Sequence, residues 1–516
     1  MTGRSWARPI TALTLALILA LAGWLRVTGI GFGLPYLYQP DEPSKVLAAV
    51  NIVRTGDLNP HYFAKPTLLI YANALLYVPY VLWGKATGRL TSVQDLAPPE
   101  RLVMGVGHIA TPEVVVLGRL LSAAVGTLVV LLTYLVGRRF LRDRTAALVA
   151  ALVVAVSFQQ VVQSHYIEVN VFLAAALLGV AWASLRLLER GDRASYLLAG
   201  FLVGIAITCK YPGVVGIVFP AAAHWLRSGR SLPFTREAKL GLLMVPVGFF
   251  LGTPYALFDP FNFVTGAGYE AYHYSTGHEG LEGSAPLWYL QYALTKEGPL
   301  ALLGLVAGAI ALVRRDSRRF LLASFPVVYY LFISVFKVRN GRTFLPLTPF
   351  AFLLAAELVV AWARRLRDPA FRLPVRALGA VAVIGFGGAG IAVPLVNSLG
   401  FNRQIRTVDS RETARVWIAE NLPAGSRIAI EAFSPWVSPE RFQVEGVRRT
   451  VEFPAEWYVA KGIRYIVFSE GMYGRYFREP DRYRERIAQY EALWRRFPLV
   501  RRFDDGGFEI RIHEVR

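Results

Sequence analysis

Asp41 and Glu42, adjacent in the stretch LYQPDEPSKV, are the residues whose types and spacing best suit them to chemistry. Two neighbouring carboxylates cannot lie in hydrocarbon, so they face water at a membrane surface or line a cavity cut into it. Pro40 and Pro43 flank the pair and leave its backbone little freedom. A carboxylate held near a hydroxyl can act as a general base. Because a hydroxyl is far less acidic than a carboxylic acid, proton transfer would come late, and stabilisation of the leaving group would share the work. The plainer alternative is a solvated pair in an exposed loop.

Cations later in the chain bear on the same chemistry. They are Lys65 in HYFAKP, Lys210 in ITCKYP with Tyr211 beside it, and Lys337, Arg339 and Arg342 in KVRNGRTFLP. Each alone could snorkel towards headgroups. Converging on one cavity, they would bind a phosphate, Arg in bidentate fashion and Lys as a point charge. His165, Tyr166 and Glu168 in QSHYIEVN add an acid near the membrane, which reads equally as a functional group or as part of a polar helix junction. His273 and His278 read as loop residues rather than ligands. The sequence holds no Cys/His set with zinc spacing, no Walker loop and no dinucleotide fingerprint, so a cytosolic ATP or NAD site is unsupported. No metal site is assigned. A divalent cation on the acidic pair is the one cofactor left open, and two adjacent carboxylates are weak grounds for it.

The elements that position these residues follow from composition. The chain has 516 residues, 54% of them apolar and 18% charged, with mean hydropathy +0.40, which describes a polytopic helical membrane protein with a soluble part. The formal charge of +20 does not indicate nucleic acid, because most basic residues fall in short runs between apolar segments. Cys209 is the lone cysteine and lies in an apolar run, so no intrachain disulfide forms.

Arg4 and Arg8 precede the apolar run Pro9 to Ile30, long enough at about 1.5 Å per residue to cross ~30 Å of hydrocarbon. A signal peptide is the alternative, but no small-residue cleavage site follows. Further spans are expected at about 114–136, 146–163, 169–188, 196–209, 212–227, 239–257, 298–313, 320–336, 344–363 and 376–397, eleven in all. The run Pro66 to Trp83 is left out of the count. With it excluded, the short connections carry twenty Lys and Arg on one side against five on the other, among the former Arg315 and Arg372. A span there would reverse that bias, so the segment should be interfacial or re-entrant. The N-terminus is then cytoplasmic and the C-terminus outside.

Two long outer loops, 31–113 and 258–297, fall on the same side in this scheme. ERLVMGVGHIATPE suggests a surface helix in the first, and Trp288, Tyr289 and Tyr292 suit an interfacial helix in the second. Residues 1–399 form the membrane module. Residues 400–516 are of mixed charge and read as a small extracytoplasmic α/β domain. It has helices in DSRETARVWIAENLPAG and YRERIAQYEALWRRF and strands in SRIAIEAF, IRYIVFSE and FEIRIHEV.

An acidic pair after the first helix, a Lys-Pro opening an amphipathic helix, and GRLLSAAVGTLVVLLTYLVGRR together resemble the GT-C glycosyltransferases of the protein mannosyltransferase and aminoarabinose transferase group. YLLAGFLVGIAITCKYPGVV and RTFLPLTPFAFLLA are similar to later blocks of that group, and the resemblance covers roughly residues 1–397. It implies a GT-C-like fold and an inverting transferase in the plasma (inner) membrane. Such an enzyme moves a sugar from a polyprenyl-phosphate donor to a protein, lipid or glycan hydroxyl on the extracytoplasmic face. Asp41 would be the catalytic base with Glu42 beside it. Lys65, Lys210, Arg339 and Arg342 would hold the lipid phosphate, with Tyr211 and Lys337 near them. Glu168, beside His165 and Tyr166, would either support the reacting groups from behind or serve the acceptor side. Two positions depart from the group's pattern: Thr67 follows Lys65-Pro66 where a second proline is common, and Thr343 follows Arg342 where an aromatic is common. The alternative from another class is a lipid or glycan transporter or flippase. That reading calls for an inverted repeat and ionisable groups at mid-membrane, neither of which is seen in the sequence.

Overall fold

The computed structural model describes residues 3–277, 279–314, 316–368 and 373–516; His278, Arg315 and Arg372 lie outside them. Five helices are long and apolar enough to cross a membrane: Pro9–Val27, Pro112–Leu141, Asn170–Arg190, Gly341–Arg365 and Arg376–Gln404. A sixth span results if the pair Arg144–Val156 and Phe158–Ser164, bent by 53°, counts as one. Length and apolarity thus support five or six spans among the described residues, and not the full eleven. The remaining expected spans are shorter or broken, except Ser317–Ser334, which has 18 residues and is still not among those five or six. Arg193–Cys209 has 17 residues, Pro299–Val313 has 15, and the 212–227 segment is a 3₁₀ stretch, Tyr211–Ile217, followed by Val218–Arg227. Leu68–Ala86, the expected interfacial helix, is not among the spans.

Close helix approach in the bundle relies on small residues. Gly200 and Gly204 of Arg193–Cys209 face Gly241 and Gly248 of Arg236–Gly252, and a Cβ at either would collide with a backbone carbonyl of the facing helix. Glycines spaced in this way let backbones meet where no hydrophobic force drives helices together in lipid.

The bend at Ser157 is held by two buried charges. Arg26 donates to the carbonyls of Ala155 at 2.9 Å and Val154 at 3.2 Å, the open end of the first half. Glu297 accepts from the Ser157 hydroxyl at 2.7 Å and the Gln159 N–H at 2.9 Å, the open end of the second. Each helix end therefore has its unpaired backbone groups satisfied from another helix, which is what a break inside a bundle requires. The bend leads directly into the linker 165–169 that carries Glu168.

The first long loop contains the helix Glu42–Thr55, packed on Leu68–Ala86 through Val46, Val50, Ile70 and Tyr77. The surface helix expected from ERLVMGVGHIATPE is not formed. That segment is a hairpin of β1 (Glu100–Val103) and β2 (Val106–His108), turned at Gly105 with φ +72°. A left-handed glycine between two short apolar runs favours a hairpin over a helix. In the second long loop, Ala285–Tyr292 stands where the interfacial helix was expected, with Trp288 stacked on Tyr292 at 5.1 Å. Pro260–Thr276 precedes it.

The last long helix, Leu373–Gln404, runs past the expected boundary at 399 into the C-terminal part. There a five-stranded sheet has the order β4-β3-β5-β7-β6, with β3 Arg427–Ile430, β4 Gln443–Gly446, β5 Tyr465–Ser469, β6 Leu499–Phe503 and β7 Ile510–Glu514. β3 pairs parallel with β4 and β5, and β7 pairs antiparallel with β5 and β6. The three expected strands are β3, β5 and β7, and the two expected helices are Ser410–Asn421 and Arg484–Arg496. Asp409 caps the first of these, accepting from the Arg411 N–H at 2.9 Å.

Both long loops and this sheet domain meet at one end of the bundle. Phe433 N–H donates to Met104 O at 2.9 Å, Arg449 pairs with Glu279, and Arg339 Nη2 lies 2.8 Å from Glu479. Connections at the other end are joined by arginines: Arg139 and Arg318 on Glu189, Arg319 on Glu357, Arg364 on Asp143. The two ends are those that the charge bias separates.

Candidate active site

Asp41 occupies the N-cap position of Glu42–Thr55 but makes no side-chain cap bond, which leaves its carboxylate free to reach elsewhere. It reaches Arg342: Nη1 donates to Oδ2 at 2.5 Å. Arg342 sits in the short helix Gly341–Phe344, whose start is fixed by Asn340 accepting from the Arg342 N–H at 3.1 Å. The same Nη1 lies 3.8 Å from Glu168 Oε1. Lys45, one helical turn beyond Asp41, donates to the Asp41 carbonyl at 3.1 Å and to Glu168 Oε1 at 2.7 Å.

Glu42 does not join this cluster. Arg119 clamps it with Nε to Oε1 at 2.9 Å and Nη2 to Oε2 at 2.8 Å, and Ile167 N–H donates to Oε1 at 3.0 Å. Both side chains are 0% exposed. Arg119 Nη1 also donates to the carbonyls of Ile30 and Phe32, each at 2.9 Å. Glu42, expected beside Asp41 as a catalytic group, is instead placed in a separate buried pair with Arg119. Its carboxylate ties the loop 30–42 to the helix Pro112–Leu141 and to the linker holding Glu168, and so positions its neighbour. The two carboxylates are committed to different arginines. Among the described residues no group of three His, Cys, Asp or Glu could hold a metal.

Lys65 pairs with Glu270 of Pro260–Thr276. Lys210 donates to Asn170 Oδ1 at 3.0 Å, and Asn170 in turn donates to Gln163 at 2.8 Å. Lys65, Lys210 and Arg342 all act electrostatically on Tyr274, one turn after Glu270. Four cations, Lys45, Lys65, Lys210 and Arg342, therefore surround three carboxylates, Asp41, Glu168 and Glu270. Burial alone would raise the Asp41 carboxyl, but Arg342, then Lys45 and Lys65, hold it well below the usual carboxylate range. Tyr62 shows the opposite: burial first, then Asp41, Glu168 and Glu270, push its phenol above the ordinary value. Burial would likewise raise Tyr274, yet the three surrounding cations bring it below the ordinary value.

Other expected site residues fall outside this group. Lys337 is exposed, and Arg339 turns to Glu479 of the sheet domain, so neither stands with Arg342. His165 is buried with its ring nitrogens against the carbonyls of Val161 at 2.9 Å and Thr28 at 3.0 Å. Tyr166 packs edge-on against Phe32 and Phe401. Tyr211 donates to the Phe63 carbonyl at 2.7 Å and holds the segment that ends in Lys65. The sequence reading missed Lys45, Tyr62, Glu270 and Tyr274. Lys45 carried a usable signal, because four-residue spacing after Asp41 on a helix opened by Pro43 puts both on one face.

Comparison with known proteins bears on the fold and the family likeness. The family model described as dolichyl-phosphate-mannose-protein mannosyltransferase matches residues 112–251. Undecaprenyl phosphate-alpha-4-amino-4-deoxy-L-arabinose arabinosyl transferase 2 of Proteus mirabilis is 24% identical over 359 residues, which are 65% of this chain and 58% of that protein. The chain thus matches less than two thirds of the length of this relative. Among solved structures, ArnT from Cupriavidus metallidurans in the apo state has a TM-score of 0.53 at 15% identity, covering 98% of both chains. The same protein bound to undecaprenyl phosphate gives 0.50, over 99% of this chain and 98% of that one. The oligosaccharyltransferase of Archaeoglobus fulgidus in the apo form gives 0.55 at 12% identity, over 90% of this chain and 70% of that one. The fold is that of these proteins, and the resemblance to the PMT-like GT-C group read from the sequence is borne out.

Proposed function

We propose that the chain is a membrane glycosyltransferase that moves a sugar from a polyprenyl-phosphate donor to an acceptor hydroxyl, with inversion at the anomeric carbon. The observation that carries this reading is the contact of Asp41 with Arg342 inside a cluster with surplus positive charge. Such a cluster suits a phosphate, and a carboxylate within it suits a hydroxyl about to lose its proton.

The phosphate of the donor would lie among Arg342, Lys65 and Lys210, its polyprenyl tail against the helices. Arg342 is suited to this, since Nη1 is engaged by Asp41 while its buried Nε has no acceptor among the described residues. A buried donor without a partner is costly, and a phosphate oxygen would satisfy it. The acceptor oxygen attacks the anomeric carbon as the bond from that carbon to the phosphate oxygen breaks. The bonding pair leaves with the lipid phosphate, and the acceptor proton passes to Asp41. A carboxylate held so strongly in its ionised form is a weak base, so the cations that stabilise the departing phosphate supply much of the effect. Lys45 and Glu168 keep Asp41 and Arg342 in register.

The charge bias supports a plasma-membrane protein with its N-terminus cytoplasmic and this site on the extracytoplasmic face. The similar ArnT structure holds undecaprenyl phosphate, which favours a lipid of that class as donor here. The test is reconstitution of the purified chain in nanodiscs with a sugar-labelled undecaprenyl phosphate. Release of undecaprenyl phosphate together with labelled product supports the reading, and an unchanged donor contradicts it.

A further inference from the structure

The contact between Asp41 and Arg342 joins two segments, each of which is fastened to the sheet domain three residues upstream. On the acid side, Tyr38 donates to Glu412 Oε2 at 3.4 Å, and the Arg411 guanidinium carbon stands 4.0 Å from the Tyr38 ring centroid. On the cation side, Arg339 Nη2 donates to Glu479 Oε1 at 2.8 Å. Asn340 follows and caps the short helix Gly341–Phe344, so the backbone from Arg339 to Arg342 has little slack.

Glu479 sits in a turn between the helices Glu470–Phe477 and Arg484–Arg496. Its N–H donates to the Tyr476 carbonyl at 3.1 Å, and its own carbonyl accepts from the N–H groups of Arg482 at 3.1 Å and Tyr483 at 3.2 Å. The same turn grips the loop 279–283: Tyr483 OH accepts from the Gly280 N–H at 2.9 Å, and Arg482 pairs with Glu282. That loop closes on Arg339. Leu281 O accepts from the Arg339 N–H at 2.7 Å, and a Cβ at Gly283 would stand 2.7 Å from Arg339 Nη1. Arg339 is therefore held at its backbone by the loop and at its tip by Glu479.

Magnitudes decide what this pair does. The Arg339 and Glu479 side chains are 17% and 32% exposed, and an ion pair open to water to that degree adds little to stability. Position is more sensitive, since a misplacement of about 1 Å near a reacting group can cost on the order of a hundredfold in rate.

We propose that Arg339 and Glu479 are positioning residues of the transferase: through them the sheet domain fixes where the Arg342 guanidinium stands against Asp41. The assignment rests on the transferase reading above and adds to it a role for the sheet domain at the same site.

The test uses the full-length protein in nanodiscs with sugar-labelled undecaprenyl phosphate, the rate being read as release of undecaprenyl phosphate. Glu479→Ala and Arg339→Met should each lower kcat by about tenfold or more and by the same factor, with the unfolding temperature kept. The double variant should be no slower than either single one, because each removes the same link. A displaced Arg342 also shows in the pH profile. Burial would raise the Asp41 carboxyl, while Arg342, ahead of Lys45 and Lys65, holds it down; Glu168, Glu270 and Tyr62 beside it are unchanged in these variants. In Glu479→Ala, kcat/KM should therefore gain an acidic limb that the wild-type protein lacks down to about pH 5. Asp481→Asn, which alters an exposed acid of the same turn paired with Arg484, should leave every reading unchanged.

A raised donor KM in Arg339→Met beside wild-type behaviour in Glu479→Ala would make Arg339 a phosphate ligand in its own right and overturn the proposal. So would wild-type rates in both variants, or slower rates that come with a lowered unfolding temperature and an unchanged pH profile. Each of these leaves the transferase reading intact. No release of undecaprenyl phosphate by the wild-type protein would instead remove that reading and this proposal with it.

Discussion

Arg342 Nη1 lies 2.5 Å from Asp41 Oδ2, joining residues 301 positions apart at the meeting point of the first long loop and the short helix Gly341–Phe344. The contact has two consequences. It holds the carboxylate ionised, and it holds a guanidinium with a free Nε where a phosphate would arrive.

The first consequence predicts a pH profile. With its folded-state pKa depressed, Asp41 stays charged as pH falls, and the stabilisation it contributes is fully present above the ordinary carboxylate pKa and is lost progressively as pH falls from there through the depressed value. The wild-type kcat/KM should therefore show no acidic limb from Asp41 down to about pH 5. Arg342→Gln removes the main opposing charge, burial then dominates, and an acidic limb should appear at higher pH. Profiles of the two proteins in parallel make the comparison.

Removing a cation from the phosphate side should affect the donor first. Lys210→Met is expected to raise the KM for the lipid-linked sugar by about tenfold, the weight of one charge-assisted contact. Lys337→Ala should leave it unchanged, because Lys337 is exposed and stands apart from the cluster. Initial rates against donor concentration separate the two outcomes.

The buried pair Glu42–Arg119 sets a stability prediction. Arg119→Met leaves an uncompensated carboxylate at 0% exposure and should cost about 3–5 kcal/mol, while Glu42→Met with Arg119→Met should recover much of the loss. Thermal unfolding in detergent reads both. A catalytic Glu42 would instead give a stable, inactive single variant.

Glu297 should matter in the same way although it lies far from Asp41 in the chain. Glu297→Ala strips the Ser157 hydroxyl and the Gln159 N–H of their acceptor at the bend, with an expected cost of about 2 kcal/mol for the exposed helix end. Glu297→Gln retains an acceptor oxygen and should cost less. Unfolding temperatures of the two variants decide it.

What could be read from the sequence follows a physical line. Asp41 stood out because charge beside a membrane-length helix is expensive, and the arginines at the opposite end stood out because they cluster between apolar runs. Periodicity marked Ser410–Asn421 and β5 because each element is long enough to repeat its pattern. It failed at Glu100–His108, where strands of four and three residues are too short to alternate visibly and Gly105 decides the turn. Five of the expected spans were obscured by their lengths, breaks or composition, since an apolar run does not say whether its helix continues through residues such as Ser157. Glu270 was out of reach for another reason. Its pairing with Lys65 depends on where a separate loop folds, and nothing local records that. Asp41 and Glu42 could not be told apart because adjacent acids look alike in a sequence, while the backbone sends one to Arg342 and the other to Arg119.

The central claim is tested most directly by Asp41→Asn, assayed with sugar-labelled undecaprenyl phosphate in nanodiscs beside the wild-type protein at matched unfolding temperature. The account predicts loss of transfer by a factor of about a hundred or more, the scale of a lost general base, with donor binding kept. Transfer at near the wild-type rate in that variant would contradict it.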